Sequence, residues 1–298
     1  MAEKQISCFA PAKINLTLDV LGKREDGYHA LKSVMQAVDL RDTLTFTALD
    51  SPEIHIACSA AELNGPDNLV YRAADLLKRY TGFAGGARAE IEKHIPAQGG
   101  LGGGSSDGAI TILALNRFWN LGLSYETMAH LAAQIGSDTP FFIYGPTAYI
   151  EGRGEFVTPL PPLAETWLVL IKPPVQVSTA RVFQTLTPDN YTDGSVSDTV
   201  AAALRASGIA PLDLPYINAL ERGVMQQYPQ VADTRRIALE LGARHVRMSG
   251  SGPTLYTLCA TRAEAETLCA ALVDRAIMAW AVKTLAAEEY PLGETGIR

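Results

Sequence analysis

The sequence predicts an α+β protein divided into two domains, and three observations carry that reading. Period-2 apolar stretches, the mark of half-buried strands, occur in both halves of the chain. Helical patterns are interspersed with them irregularly, without the repeated strand–helix–strand units of a doubly wound nucleotide domain. A proline cluster, "TPLPPL" at 158–163, interrupts the 298 residues near their middle and places a boundary between 1–160 and 161–298.

Each element has its own local reason. "ISCFAPAKINLTLDVLG" alternates and is rich in apolar and β-branched residues, so it is a strand; "DTLTFTAL" (42–49) and "EIHIACS" (53–59) are two more. "NLVYRAADLLKRY" (68–80) repeats apolar residues at i, i+4, i+7, i+8 and i+11, a helical spacing. "GARAEIEKHIP" (86–96) returns to strand and leads into "PAQGGLGGGSSDGA" (96–109). Residues 105–122 are apolar almost all round and predict a buried helix, capped by Ser105, Ser106 or Asp107. A second helix runs from an N-cap at Ser124 to Gly136, and "DTPFFIYG" begins a short third. "TAYIEGRGEFVTPL" reads as a hairpin turning at "GRG". Past the prolines, "TWLVLIKP" is a strand, "STARVFQTL" a capped helical start, and 187–199 a polar loop. "VADTRRIALELGA" is a helix and "RHVRMSGSGPTLYTLCA" a strand–loop–strand; "RAEAETLCAALVDR" and "AWAVKTLAA" close with helix and strand.

Composition narrows the function. The net charge is −7 and no block of Lys or Arg is present to meet a phosphate backbone, which argues against a nucleic-acid partner. The longest apolar runs, such as "WLVLI", fall far below the ~20 residues that span a bilayer. The N-terminus has no apolar core behind a basic start. Four cysteines without CxxC spacing read as reduced thiols. The expectation is a soluble, cytoplasmic protein.

A strand, a glycine-rich loop and a helix start together form an anion site. Successive N–H groups converge, the helix start is partly positive, and glycines let the backbone approach an oxyanion. The natural ligand is a phosphate chain. The Walker A pattern fails here for want of a lysine, and the dinucleotide fingerprint fails because Ser105 stands at its third glycine. Three other pieces accompany the loop. "PAKINL" (11–16) sets Lys13 and Asn15 on one face of an otherwise apolar strand, where an edge charge is the plain reading. "GSDTP" (136–140) puts Asp138 at a helix start, where an N-cap is the plain role. "SGSGP" (249–253) is a second glycine-serine turn between strands, readable as an ordinary hairpin.

Together and in this order, these pieces resemble the GHMP kinases, the superfamily of galactokinase, homoserine kinase and mevalonate kinase. The family's central loop is Pro-x-x-x-Gly-Leu-Gly-Ser/Gly-Ser-Ser, matched by Pro96 and Gly100-Leu101-Gly102-Gly103-Gly104-Ser105-Ser106. "PAKINLTLDVLGKREDGYHALKSVMQAVDLRD" (11–42) narrows the resemblance to the branch acting on a cytidine diphosphate ester of methylerythritol. "GLGGGSSD", "IGSDTPFFIYGPTAYIEGRGE" and "MSGSGPTLY" match later motifs of that branch, and "DGYH" separates it from the rest of the family. The likeness runs from about residue 9 to 260.

The resemblance implies a two-domain GHMP fold. Its N-terminal ATP-binding domain is like the second domain of a ribosomal small-subunit protein, and its C-terminal substrate-binding domain is a ferredoxin-like α/β-plait. It implies ATP-dependent phosphorylation of the substrate's 2-hydroxyl, with Mg²⁺, in the non-mevalonate route to isoprenoid precursors. Partners would be small molecules, neither nucleic acid nor membrane, and the chain a monomer or homodimer. The loop Pro96, Ala97, Gln98, Gly99, Gly100, Leu101, Gly102, Gly103, Gly104, Ser105 and Ser106 would wrap the ATP phosphates, with Ser105 the candidate Mg²⁺ ligand. Asp138 matches the family's base and would take the hydroxyl proton. Lys13 matches the lysine beside it and would orient the hydroxyl; Asn15 would reach the substrate from the same face. Tyr28 and His29 match residues used on the cytosine, where a ring can stack and an imidazole can both donate and accept. Phe183 would be the second face of the stack. Lys13 and Asp138 are far apart in sequence, so only the fold can join them.

Two departures stand out. Gln98 stands where the family often has Gly or Ala, and Ala219 follows Asn218 where it usually carries Asn-Asp. A homoserine or mevalonate-type kinase has no base for "DGYH" to hold. A nucleotide-binding regulator that had lost the chemistry would have no use for both Lys13 and Asp138.

Overall fold

The protein is described from a computed structural model, which places residues 4–206 and 211–291. In the first half the elements are β1 (Gln5–Lys23), β2 (His29–Leu49), β3 (Ile54–Cys58), α1 (Leu69–Thr81), β4 (Gly86–Glu92), α2 (Gly103–Phe118), α3 (Tyr125–Ala133), α4 (Thr139–Tyr144), β5 (Thr147–Gly152) and β6 (Phe156–Pro159). The second half continues with β7 (Trp167–Lys172), α5 (Thr179–Gln184), α6 (Ser195–Ala206), β8 (Ile217–Asn218), α7 (Glu221–Gln227), α8 (Pro229–Glu240), β9 (Arg247–Met248), β10 (Leu255–Cys259), α9 (Arg262–Val273) and β11 (Met278–Lys283).

β1 forms because every even-numbered residue from Ile6 to Val20 is apolar, and all of them are buried. It pairs antiparallel with β2 along its length, with register shifts at Pro11/Ala12, Asn15/Thr17 and Val20/Gly22. The first sheet has the order β3-β4-β2-β1-β8, and β5 pairs with the first half of β2 and carries β6. Only 42–49 of β2 is legible as a strand. Residues 33–38 are buried on both faces, so they show no alternation to read.

Helices α1 to α4 cover one face of this sheet. Asn68 caps α1 by accepting from Val70 N, and Ser124 caps α3 by accepting from Thr127 N. α2 starts otherwise than the sequence suggested. Its N-cap is Gly102, left-handed at φ 71°, with no side-chain cap; Ser105, Ser106 and Asp107 lie inside the helix. A glycine turning the chain straight into a helix leaves the first-turn amides without a side chain to satisfy them.

The second sheet is antiparallel in the order β11-β7-β10-β9. Helices separate β7 from β9 and β10 from β11, which gives the β-α-β-β-α-β course of a ferredoxin-like plait. The polar loop expected over 187–199 is shorter than that, because α6 begins at Ser195. Its start is fixed from afar: Ser197 N and Oγ donate to Asp19 Oδ2 on β1 at 3.0 and 2.6 Å. No local pattern announces such a partner, and α7 goes unannounced for want of a clear apolar stripe.

Between the sheets lies a core of Ala12, Ile14, Leu16, Val34 and Val38 against Leu168, Leu170, Tyr256, Leu258 and Val282. Full burial of such side chains is worth ~1.5–3 kcal/mol each. Burying the even face of β1 here leaves its odd residues, Lys13 and Asn15, facing the cleft.

Candidate active site

The glycine loop is held by its carbonyls, which leaves its amides free. Lys13 N donates to Leu101 O at 2.9 Å and Thr254 N to Gly99 O at 3.3 Å. Ser249 Oγ donates to Gly100 O at 2.9 Å. The first helical bond of α2 is Ser106 N to Gly102 O, so the amides of Gly103, Gly104 and Ser105 are the unpaired donors of a helix start. Gly100 has φ 75°, and a Cβ there would collide with the Ser249 carbonyl. Gly102 has φ 71°, and its Cβ would sit 3.0 Å from Lys13 Cγ. Gln98 adopts φ 51° with an exposed side chain, which explains why glycine suits that position.

The fold brings Lys13 and Asp138 together, with Nζ to Oδ2 at 3.3 Å. Asp138 stands at the N-cap of α4 without bonding its amides, so the carboxylate is turned to the lysine instead. Lys13 is 2% exposed while the Asp138 side chain is 34% exposed, so the acid keeps access to the cleft. A buried ammonium needs partners. Lys13 has a second in Asn15 Oδ1 at 2.6 Å, and Asn15 Nδ2 in turn donates to Ser33 Oγ at 2.9 Å. Lys13 is no exposed edge charge, since it is buried and paired.

His29 is buried, its ring 5.5 Å from Phe183 and 6.1 Å from Tyr191. Burial, with Lys23 nearby, holds its pKa below the usual value. A neutral imidazole offers one donor and one acceptor. Tyr28 is half exposed and carries the Arg153 guanidinium 5.0 Å from its ring centre. Phe183 thus stands beside His29, and Tyr28 beside Arg153.

A third group was not legible. Buried Lys93 donates to Asp107 Oδ2 at 2.6 Å and to Asp42 Oδ2. Asp42 Oδ1 accepts from His94 N at 2.5 Å and Ile95 N at 2.8 Å. Burial pushes the Asp107 carboxyl up to about 7; Lys93 opposes the rise and the Asp42 charge adds to it. Lys93 stays charged, because the two carboxylates outweigh its burial. The loop has no lysine of its own, yet this one stands three residues before Pro96, in "KHIP".

Most of these groups line one cavity of about 1010 Å³, at the upper end for ligand sites. Lys13, Asn15, Tyr28, His29, Pro96–Gly100, Gly102–Ser105, Asp138 and Phe183 border it. Leu101 and Ser106 do not; both are buried in the protein. Lys93, Ser137 and Arg153 border it although the sequence did not single them out, and so does Asp107, which it offered only as a helix cap. Among the described residues, no group of three or more His, Cys, Asp or Glu is arranged to hold a metal.

Known proteins resemble this chain over most of its length. The family described as "GHMP kinases N terminal domain" matches residues 68–146, and "GHMP kinases C terminal" matches residues 200–276. The chain is 42% identical over 266 residues to the 4-diphosphocytidyl-2-C-methyl-D-erythritol kinase of Pelotomaculum thermopropionicum, covering 89% of this chain and 93% of that one. It is 43% identical over 256 residues to the same kinase of Geobacillus thermodenitrificans, covering 85% and 88%. A crystal structure of a 4-(cytidine 5'-diphospho)-2C-methyl-D-erythritol kinase superposes with a TM-score of 0.80 at 34% identity, covering 93% of this chain and 98% of the other. Homoserine kinase from Cytophaga hutchinsonii shares the fold, with a TM-score of 0.73 at 16% identity over 100% of this chain and 98% of its own. The chain belongs to the 4-diphosphocytidyl-2-C-methyl-D-erythritol kinase family, within the GHMP kinases.

Proposed function

We propose that Asp138 is the base, and Lys13 its partner, in transfer of the ATP γ-phosphoryl group to the 2-hydroxyl of 4-diphosphocytidyl-2-C-methyl-D-erythritol. The enzyme is a kinase that uses ATP, and its step belongs to the methylerythritol phosphate route to isoprenoid precursors. The observation that carries the assignment is the Lys13–Asp138 pair, 3.3 Å apart in the cavity that the glycine loop borders.

Phosphoryl transfer needs an aligned acceptor, a place for its proton and compensation for phosphate charge. Asp138 is the accessible acid and takes the proton from the hydroxyl. Lys13 fixes that carboxylate and faces the developing charge, while Asn15 and Ser33 hold the ammonium in place. The amides of Gly103, Gly104 and Ser105 receive phosphate oxygens at the start of α2. Mg²⁺ neutralises phosphate charge when bound. It usually takes few protein ligands alongside phosphates and water, so the Ser105 hydroxyl in the first turn of α2 suits it. Tyr28, His29 and Phe183 hold the cytosine, with neutral His29 reading its polar edge. On this reading residues 1–160 carry the ATP side, and 161–298 add Phe183 and the Ser249–Gly252 turn. Small molecules are the only partners, the chain is a monomer or homodimer, and its compartment is the cytoplasm.

An ADP-release assay with the cytidyl substrate, homoserine and mevalonate in parallel tests the reading. Turnover should occur with the cytidyl substrate alone. Asp138→Asn should lower kcat by at least ~10²-fold, with both KM values little changed. Near-normal turnover in that variant removes Asp138 as the base, and preference for another acceptor removes the substrate.

A further inference from the structure

The substrate named by the relatives carries a diphosphate between its cytidine and its methylerythritol. That charge needs a cation on the cytidyl side of the cleft. The basic side chains bordering the cavity are Lys13, Lys23, His29, Lys93 and Arg153. Lys13 is engaged by Asp138 and Asn15, and Lys93 by Asp42 and Asp107. His29 is held neutral. Lys23 is exposed to solvent.

Arg153 is different. It sits in the β5–β6 turn, half-buried, and no ion pair among the described residues includes it. Its backbone is pinned, since Arg153 N donates to Glu155 Oε2 at 2.6 Å. The next residue, Gly154, has φ 122° and packs so closely on Ser137 that a Cβ would lie 2.7 Å from the Ser137 carbonyl. The turn therefore abuts the neighbour of Asp138, while its guanidinium lies 5.0 Å from the Tyr28 ring centre. The turn and its guanidinium together thus reach from the transferring end to the base-holding end, between which the diphosphate of a ligand held at both must pass. A guanidinium stacked on a ring keeps its edge donors free for bidentate phosphate contact.

We infer that Arg153 clamps the substrate's diphosphate and so selects cytidine diphosphate esters over ligands lacking that group. The inference rests on the proposed reading of the site. Titration calorimetry of CDP and of cytidine against the wild type, Arg153→Gln and Arg153→Lys tests it. The wild type should prefer CDP by roughly 10–100-fold, the range of charge-assisted hydrogen bonds. Arg153→Gln should bring CDP close to cytidine and leave cytidine unchanged; Arg153→Lys should keep part of the preference. In turnover, Arg153→Gln should raise KM for the cytidyl substrate about tenfold while KM for ATP stays put. An unchanged CDP preference in Arg153→Gln, or a loss confined to ATP, overturns the clamp alone. Failure of the wild type to bind either ligand overturns the cytidyl reading and the clamp with it.

Discussion

Asp107 and Asp42 share the single ammonium of Lys93 inside the protein, and this has a consequence for stability. The folded pKa of Asp107, about 7, lies above its ordinary value of 3.8. Between those values the folded state holds more protons than the unfolded one, so stability falls as pH rises through that window. Asp107→Asn removes the titration. Relative to wild type, its Tm should be higher at pH 8 than at pH 5 by a few degrees, measured by scanning calorimetry. An equal difference at both pH values would remove the account. At this scale the sequence was legible where residue type and motif coincide: Lys13, Asp138, Tyr28 and His29 all border the cleft. It was silent on Lys93 and Arg153, and gave Asp107 only the role of a helix cap. Their roles arise from burial and from neighbours on other elements, which no spacing encodes.

Elements show the same division. α3 was readable from its Ser124 cap and α1 from its apolar spacing, and both have a local capping side chain. The start of α2 was misread because its cap is a backbone conformation, the left-handed Gly102. The loop before it tolerates little. At Gly100, positive φ and the Ser249 carbonyl both oppose a side chain. Gly100→Ala should therefore cost ~1–3 kcal/mol or displace the loop from the Ser249 turn. KM for ATP should rise at least about tenfold, with CDP affinity retained. Titration with a non-hydrolysable ATP analogue checks this, and unaltered affinity would show that the loop does not cradle phosphate. The first half of β2 and the start of α6 escaped reading for a different reason: two-sided burial hid the first, and Asp19 on β1 fixes the second.

At the scale of the molecule, the α+β class was within reach of the sequence, and the plait of the second half through the family resemblance, but the joining of its parts was not. Asn218 makes that joint. It lies on β8, in the first sheet, and its Nδ2 donates to both Met248 O and Gly250 O at 2.8 Å. Its Oδ1 accepts from Leu220 N at 2.9 Å. Asn218→Ala leaves these buried groups unpaired and should cost roughly 2–4 kcal/mol. The urea midpoint should fall without change in slope, and an unmoved midpoint would show that the joint is not structural. The acid usually found beside it is absent here, and Ala219 N simply bonds Leu18 O at 2.8 Å.

β1 serves all three hydrophobic clusters: Ile6, Cys8 and Ala10 in one, Ala12, Ile14 and Leu16 in the next, Leu18 and Val20 in the third. Its Thr17 pairs with Ile217, and its Asn15 carbonyl receives the Tyr256 hydroxyl at 2.9 Å. β1 therefore waits for partners made as many as 241 positions later in the chain. Until then its apolar side chains have only part of their destination. Contacts so distant along the chain slow folding and lengthen exposure to aggregation. Folding of this kinase turns on β1, which cannot settle until partners far along the chain are in place.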